Sequence, residues 1–300
     1  MLNLLFIVVS LGIGWFFAKN AFVPPDTHKL INKLLIWIFI PALNIKYLLT
    51  LSFTSAYLYP MLTPWVLFFG AMLYFYVINR SAKFSRETLG ALILTGGISS
   101  ISFVGFPIFQ LYYGTTGMSM GIIMSQLGTF LIVMTLGIAL ATTLSEKKAN
   151  LRLILKRMVR FPPFGATLIC LSINALTDEI PPEITDLATL ISQPFAFLAL
   201  FAVGLQVNFS NILRDSKPLY TGLFYKLIIC PLIVFLFFYV NGTLTTTEAK
   251  ISLLGAALGP MNTAAIIADD FGLDGLLAAK MVSVGIPVSI FSTLLIQYLL

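Results

Sequence analysis

Charged side chains are scarce in this 300-residue chain. Asp, Glu, Lys and Arg together make up 10% of it, whereas 58% of the residues are hydrophobic. A soluble domain carries about 25% charged residues, because its surface must be solvated by water. The scarcity excludes a soluble globular protein and predicts that lipid is the main solvent of the chain.

Histidine and cysteine are also nearly absent. The chain has one histidine, His28, and two cysteines, Cys170 and Cys230. A single histidine rules out a multi-histidine metal site. Both cysteines lie within apolar stretches, where cysteine is typical of helix packing rather than of a disulfide or a metal pair. We therefore expect no metal site and no cofactor.

Motifs of several protein classes are missing. The chain has no GxxxxGK[ST] loop for ATP and no HExxH zinc motif. It has no ladder of arginines typical of a voltage sensor, and no runs of β alternation typical of a barrel. The net charge is +6, but the basic residues form no aromatic-interleaved patch. We expect neither an enzyme with catalytic residues nor a nucleic-acid-binding protein.

Ten apolar segments come near the roughly 20 residues that cross a bilayer as a helix. No basic residue precedes the first of them, so we expect it to be a span rather than a signal peptide. We predict an all-α polytopic membrane protein with ten transmembrane helices. The segments lie at about residues 2–19, 30–49, 57–78, 88–113, 117–144, 162–177, 188–208, 218–240, 249–271 and 275–299.

Basic residues are concentrated in alternate loops. Fifteen of the 18 lysines and arginines fall in the loops after segments 1, 3, 5, 7 and 9 or at the segment ends next to those loops, and the loop after segment 6 is purely acidic. Cytoplasmic loops of membrane proteins are enriched in Lys and Arg. The pattern predicts a multi-pass protein of the cell inner membrane with both termini outside the cytoplasm.

The two halves of the chain resemble one another. Segment 4 reads GGISSISFVGFPIFQLYYG and segment 9 reads GAALGPMNTAAIIADDFG. Both are rich in small residues, contain a proline and end in an aromatic residue followed by glycine. Five spans per half would make the second half start from the opposite side. We predict two inverted five-helix repeats, at 1–144 and 162–300, joined by a basic cytoplasmic loop at 145–161 within a single membrane domain.

Proline and glycine interrupt segments 4 and 9, around Pro107 and Pro260. A proline removes one helix hydrogen bond and clashes with the preceding turn. Backbone groups freed in this way must be satisfied by other groups or must line a cavity. Matched interruptions in two halves point to a transporter site, where half-helix N-termini suit an anionic group. Tolerated kinks that allow close helix packing are the structural alternative.

Polar and ionisable side chains in the segments supply the candidate site residues. Asn44 and Gln206 hold equivalent places in the two halves, and hydrogen bonding between helices is their alternative role. Lys226 is expected either to reach the cytoplasmic face or to serve in coupling. The aspartates at the end of segment 9 either cap the membrane boundary or serve in coupling. The predicted substrate-binding residues are Ser99, Ser100, Ser102, Pro107, Pro260, Asn262, Thr263, Asn44 and Gln206, and the predicted coupling residues are Asp269, Asp270 and Lys226.

One stretch of segment 4 resembles a known family. The letters SISFVGFP, followed by YG, are similar to the N-x-G-F-x-G-x-P pattern of the auxin efflux carrier family, bacterial relatives of the plant PIN-FORMED auxin exporters. Matching positions are Phe103, Gly105 and Pro107, whereas Ser100 stands where Asn is usual and Ser102 where Gly is usual. In segment 9, GPMNTAAIIADDFG is similar to the family's second proline-led span.

This resemblance implies more than the residues alone predict. It implies that spans 4 and 9 cross at their prolines. It also implies that spans 1, 2, 6 and 7 form a scaffold and that the remaining spans form a moving transport domain. Small organic anions, such as auxin-like acids or mono- and dicarboxylates, are the implied substrates, and an elevator-type motion is the implied mechanism.

We therefore expect a secondary active or facilitated transporter of small organic anions that works by alternating access. Its expected partners are the substrate and membrane lipid, and a homodimer is left open. The nearest alternative is a sodium-coupled organic anion symporter of the bile-acid-symporter type, which has a similar crossing and would depend on Na⁺. A membrane-embedded receptor or enzyme without transport is an alternative of a different class.

Overall fold

The computed structural model describes residues 2–145, 158, 160–177, 179–206 and 217–299. Within these ranges the chain is helical and contains no strand, so the all-α prediction is confirmed. The helices are α1 (Leu2–Lys19), α2 (Thr27–Leu48), α3 (Ser55–Ala82), α4 (Arg86–Gly97), α5 (Ile101–Leu144), α6 (Pro162–Leu176), α7 (Pro182–Gln206), α8 (Lys217–Val240), α9 (Thr247–Ala257), α10 (Asn262–Asp270) and α11 (Gly275–Leu299).

Seven helices in the described ranges are long and apolar enough to cross a membrane, namely α1, α2, α3, α5, α7, α8 and α11. The apolar helix α6 is shorter, with 15 residues. The 44-residue α5 is interrupted at Gly114, whose φ of 55° is not helical. Helices α4, α9 and α10 are each too short to span alone. The multi-pass membrane character is confirmed, and the count of ten spans stays a prediction.

Large apolar side chains are exposed on many of these helices. Leu73 is 70% exposed and Phe291 is 73% exposed. Exposed apolar surface costs roughly 25 cal/mol per Å² in water, and extended patches of it are rare on soluble proteins. A hydrocarbon solvent removes that cost, which agrees with the low charge content of the sequence.

The chain divides into two compact units. Unit 1 comprises Met1–Thr54, Ser102–Ile122 and Leu155–Val207, and unit 2 comprises Ser55–Ile101, Ile123–Ile154 and Asn208–Leu300. Each unit draws on both predicted repeats, so the division at 1–144 and 162–300 stays a prediction. Most of the predicted basic loop at 145–161 lies outside the described residues, as do Asp178 and Arg214.

Unit 1 contains a close crossing of α1 and α7. A Cβ added at Gly14 would lie 3.1 Å from the Cα of Gly204 and inside contact distance of the Phe201 carbonyl oxygen. A Cβ added at Gly204 would collide in the same way with the Leu11 carbonyl oxygen. Small residues at such crossings let two backbones approach, which replaces the hydrophobic driving force that lipid does not provide.

Unit 2 is built around a buried aromatic cluster on α3 and α8. The Tyr225 ring lies 5.2 Å from the Phe75 ring, centroid to centroid, and the Tyr225 hydroxyl donates to the Leu67 carbonyl oxygen at 2.7 Å. A Cβ added at Gly96 of α4 would lie 2.8 Å from Phe75 Cε2. Glycine at that position therefore lets the end of α4 pack directly on this cluster.

Helices α4 and α9 begin in the same way. The Ser85 hydroxyl accepts a hydrogen bond from the Thr88 N–H, and the Thr246 hydroxyl accepts one from the Ala249 N–H. Each hydroxyl caps a helix N-terminus, which satisfies a backbone donor that has no partner within the helix. The two caps are 161 residues apart in the chain. The same separation recurs at the functional site.

Candidate functional site

Two interruptions of helical structure lie in unit 2, one between α4 and the start of α5 and one between α9 and α10. The backbone there is extended rather than helical. Ile98 has φ −119° and ψ 120°, Leu258 has φ −64° and ψ 149°, and Met261 has φ −77° and ψ 129°. We call these two segments, residues 98–101 and 258–261, the crossing.

The two segments pair with each other as a minimal antiparallel ladder. Ser99 and Pro260 face one another, again 161 residues apart. Buried backbone groups freed from a helix need partners, and here each interruption supplies them to the other. Two backbone hydrogen bonds flank the pair, from Ser100 N to Gly259 O at 2.9 Å and from Met261 N to Ile98 O at 3.0 Å.

The ladder also explains why a proline is tolerated at its centre. In an antiparallel pair, facing residues alternate between pairs that exchange hydrogen bonds and pairs that do not. The bonds at the crossing come from the neighbours of Ser99 and Pro260, so this pair is the kind without exchanged bonds. Pro260 has no N–H, and the ladder requires no hydrogen bond from that nitrogen.

The crossing holds a buried lysine side chain. The Lys226 side chain is 0% exposed, and its ammonium donates to the Ser99 hydroxyl at 2.5 Å. One helical turn later, the Cys230 sulfur lies 3.9 Å from the Gly96 carbonyl oxygen. The first contact joins α8 to the first interruption, and the second joins α8 to the end of α4. The prediction that Lys226 reaches the cytoplasmic face is wrong for this structure, because Ser99 gives the ammonium a closer partner.

The remaining predicted residues of unit 2 lie at or after the second interruption. The Ser100 side chain is buried, and its hydroxyl has no hydrogen-bond partner. Asn262 and Thr263 begin α10 and are half-buried. The residue before them, Met261, makes no side-chain cap. A helix N-terminus without such a cap is suited to accept a polar or anionic ligand.

The two aspartates predicted for coupling lie at the far end of α10. Asp269 and Asp270 are the last residues of that helix, and both are exposed. The Gly272 N–H donates to the Asp269 carbonyl oxygen at 2.9 Å, which closes the helix. Their position agrees with the structural alternative, and a coupling role for either stays a prediction.

Four predicted substrate-binding residues belong to unit 1, namely Asn44, Ser102, Pro107 and Gln206. The Asn44 amide nitrogen donates to the Pro163 carbonyl oxygen at 2.7 Å and to the Thr167 hydroxyl at 2.9 Å, which ties α2 to α6. The Gln206 amide donates to a carbonyl oxygen of its own helix. A role for these four residues in substrate binding stays a prediction.

Asn44→Leu tests which role that residue has. Loss of the tie between α2 and α6 is expected to cost about 1 kcal/mol, the usual scale for a hydrogen bond between membrane helices. We expect a lower unfolding temperature with transport retained, measured on purified protein and in proteoliposomes. The exposed Asn20, changed to Leu, is the matched control. Lost transport at an unchanged unfolding temperature would instead make Asn44 a substrate ligand.

The resemblance to the family implied a crossing at the two prolines; Pro260 lies in the backbone pair of unit 2, and a place for Pro107 at the crossing stays a prediction. The residue that pairs with Pro260 is Ser99, eight positions earlier. Pro107 lies inside the helical run of α5, directly after the wide turn Ile101–Gly105. Such a turn accommodates the hydrogen bond that a proline cannot make. The interruption itself follows the glycines of α4, which pack on the aromatic cluster.

Three further residues near these elements were not predicted. The Gln126 side-chain oxygen and the Ser252 hydroxyl are buried in unit 2 without hydrogen-bond partners. Asp274 accepts a hydrogen bond from the Thr88 hydroxyl at 3.0 Å and caps α11 through the Leu277 N–H. Gln126 had a sequence signal as a polar side chain within an apolar segment, and Asp274 had one because aspartate is favoured at helix N-termini. No three His, Cys, Asp or Glu side chains of the described ranges form a metal-binding group.

Comparisons with known proteins agree with the membrane-protein character of the chain. A family model described as "Membrane transport protein" matches residues 1–297. An uncharacterized transporter of Methanocaldococcus jannaschii, MJ1031, is 24% identical over 263 residues, which cover 85% of this chain and 81% of that protein. The family match covers nearly the whole length, and it agrees with the resemblance seen in segment 4. The chain therefore belongs to the auxin efflux carrier family of membrane transport proteins.

Proposed function

We propose that the protein carries small organic anions across the membrane by alternating access, with the crossing in unit 2 as its substrate site. The observation that carries this proposal is the pairing of the two interruptions at Ser99 and Pro260. Because each interruption satisfies the other's backbone, a non-helical segment can persist inside a membrane protein without a large energetic cost. Such segments are where secondary transporters bind their substrates.

An anion suits the crossing for three physical reasons. Helix α10 begins there, and the N-terminal end of a helix carries a partial positive charge. The Ser100 hydroxyl is buried without a partner and can donate a hydrogen bond. The Lys226 ammonium, bonded to Ser99, is proposed to add a positive charge. Mono- and dicarboxylates, including auxin-like acids, are the substrate class that this set of donors favours.

The proposed motion is of the elevator type, with unit 2 carrying the site and unit 1 as the scaffold. The helices α1, α2, α6 and α7 all fall in unit 1, which matches the scaffold that the family resemblance implies. The proposal also places the protein in the inner membrane with both termini outside the cytoplasm, because the basic residues alternate between loops.

Counterflow in proteoliposomes tests the function directly. Vesicles loaded with an unlabelled carboxylate are diluted into the labelled form, over a panel of benzoate, indole-3-acetate, malonate and malate. We expect at least one panel member to accumulate transiently above the level seen in protein-free vesicles. If none accumulates with correctly folded protein, the organic-anion proposal fails.

Asn262→Ala is expected to reduce counterflow at least tenfold while leaving expression and the unfolding temperature unchanged. Asn262 is the first residue of α10, so its amide lies at the end of the helix that is proposed to face the anion. A lost hydrogen bond to a charged group is worth about 1.5–3 kcal/mol, which corresponds to about tenfold to a hundredfold. The exposed Asn241, changed to Ala, is the control. Unaltered kinetics in Asn262→Ala would remove this residue from the site.

A further inference from the structure

Lys226 is an ionisable group in an unusual setting. It lies in the wide turn Tyr225–Ile229 of α8, and the side chain is fully buried. No carboxylate of the described residues lies within salt-bridge distance of it. An ionisable side chain inside a membrane protein is expensive and usually pairs with another charge or serves a function.

The groups around Lys226 compensate its charge only in part. An ammonium has three donors, and the Ser99 hydroxyl accepts from one of them. Helix α4 ends two residues before Ser99, and α9 ends three residues before Pro260, which faces Ser99. The C-terminal ends of helices carry about half a negative charge each. These partial charges favour a cation at the crossing, but they are not the full counter-charge that a carboxylate would provide.

We propose that Lys226 is the resident cation of the crossing, so that a fixed ammonium, rather than a bound Na⁺, attracts the transported anion and makes transport independent of sodium. This inference rests on the proposed function. It assigns Lys226 a positioning role that acts through the electric field at the crossing and through Ser99, with no direct contact to substrate required.

The field of Lys226 excludes a second cation at the same place. Two like unit charges about 4 Å apart, at an effective dielectric constant of about 20, repel strongly enough to weaken binding roughly a thousandfold. A Na⁺ site beside Ser99 would therefore stay empty at physiological sodium. The sodium-coupled alternative needs such a cation near the interruptions, so the buried ammonium weighs against it.

The same field should attract anions in proportion to their charge. For a carboxylate about 8 Å from the ammonium, at an effective dielectric constant of about 20, removal of the charge weakens binding about 30-fold. A dicarboxylate carries a second charge in the same field, so removal of the ammonium charge weakens its binding by a larger factor. A purely structural role for Lys226 would not distinguish the two classes.

The test begins with the natural chain. Counterflow of benzoate and malonate is measured with sodium present and with sodium replaced by choline. We expect equal rates, and a requirement for Na⁺ would overturn the proposal. If no carboxylate of the panel is transported in either medium, the proposed function fails and the inference falls with it. These outcomes separate the two claims.

Variants of Lys226 then test the charge itself. Lys226→Met keeps most of the side-chain volume and should raise KM about 30-fold for benzoate and more for malonate, whereas Lys226→Arg should restore both. The exposed Lys217 at the start of the same helix, changed to Met, should leave KM unchanged. Equal KM values in Lys226→Met and the natural chain would overturn the proposal and leave the proposed function standing.

A small cation can separate charge from folding. Lys226→Ala removes the charge and leaves a cavity that ethylammonium can fill. We expect ethylammonium, but not the neutral ethanol, to raise both the unfolding temperature and the counterflow rate of this variant, including when Lys226→Met does not fold. Equal effects of the two additives, or none from either, would overturn the assignment of a resident cation.

Discussion

Gly285→Ala is expected to abolish transport. Gly285 lies on α11, and a Cβ added there would lie 2.5 Å from Pro260 Cδ. Carbon atoms pack at about 3.5–4.0 Å, so the new methyl group would overlap the proline ring by about 1 Å. The ring cannot turn away, because its neighbours are held in the ladder with residues 98–100. The collision must therefore displace either α11 or the crossing.

The direction of the stability change distinguishes a steric collision at Gly285 from an unhindered helix position. Alanine is the better helix former by about 1 kcal/mol, so a free site would gain stability from the substitution. Overpacking in a well-packed interior costs about 1–3 kcal/mol. At Gly285 we expect the steric cost to exceed the helical gain, giving a lower unfolding temperature and a counterflow rate reduced at least tenfold.

Gly137→Ala is the matched control in the same unit. A Cβ there would meet the flexible end of Leu94 at 3.3 Å, so a small adjustment of that side chain suffices. We expect this variant to keep its unfolding temperature and its transport. If Gly285→Ala transported normally, the close approach of α11 to Pro260 would not be needed for function, and the crossing would tolerate more movement than its packing indicates.

Much of the fold was predictable because its signals are local. Low charge and long apolar runs predicted membrane helices, and the described chain is helical throughout its main segments. The small-residue stretches of segments 4 and 9 predicted interruptions, and both stretches contain them. Hydropathy and backbone propensity depend on each segment's own composition, so the sequence carries this information directly.

The register of the crossing was not predictable in the same way. Proline is the strongest local signal for a break, and it pointed to Pro107. The break instead lies at Ser99, because Gly96 before it packs on Phe75 and because Pro260 fits opposite a residue that exchanges no ladder bond. Both reasons involve residues distant in the chain, and a search for helix-breaking residues in the local sequence does not detect them.

Burial of the candidate residues was likewise decided by distant partners. The sequence placed Lys226 within a span, at a depth where its side chain has length enough to reach water. Its ammonium lies on Ser99, 127 positions earlier in the chain. Asn44 was predicted at the crossing from its place in the repeat, and its bonds join it to α6. Periodicity shows that a residue is in a helix, but the face it shares with a neighbour depends on tertiary packing.

Gly204→Leu is expected to prevent correct folding of unit 1. An added side chain at Gly204 would collide with the Leu11 backbone of α1, and backbone cannot rotate aside as a side-chain end can. The two helices would have to separate, which forfeits the close contact that holds small-residue crossings together in lipid. We expect no monodisperse peak on size-exclusion chromatography for this variant, whereas Gly12→Leu on α1, where no atom lies within 4 Å of an added Cβ, should behave normally.

A double substitution tests whether Gly14 and Gly204 act at one shared contact. Gly14→Ala and Gly204→Ala are each expected to cost about 1–3 kcal/mol, since each methyl group must push α1 and α7 apart. Once the first has separated the helices, the second meets less resistance. The double variant should therefore be more stable than the sum of the single effects predicts, by at least about 0.5 kcal/mol, which is the scale of coupling between residues in contact. Strict additivity of the changes in unfolding free energy would mean that the two glycines relieve separate collisions, and that the helices are held by contacts other than this crossing.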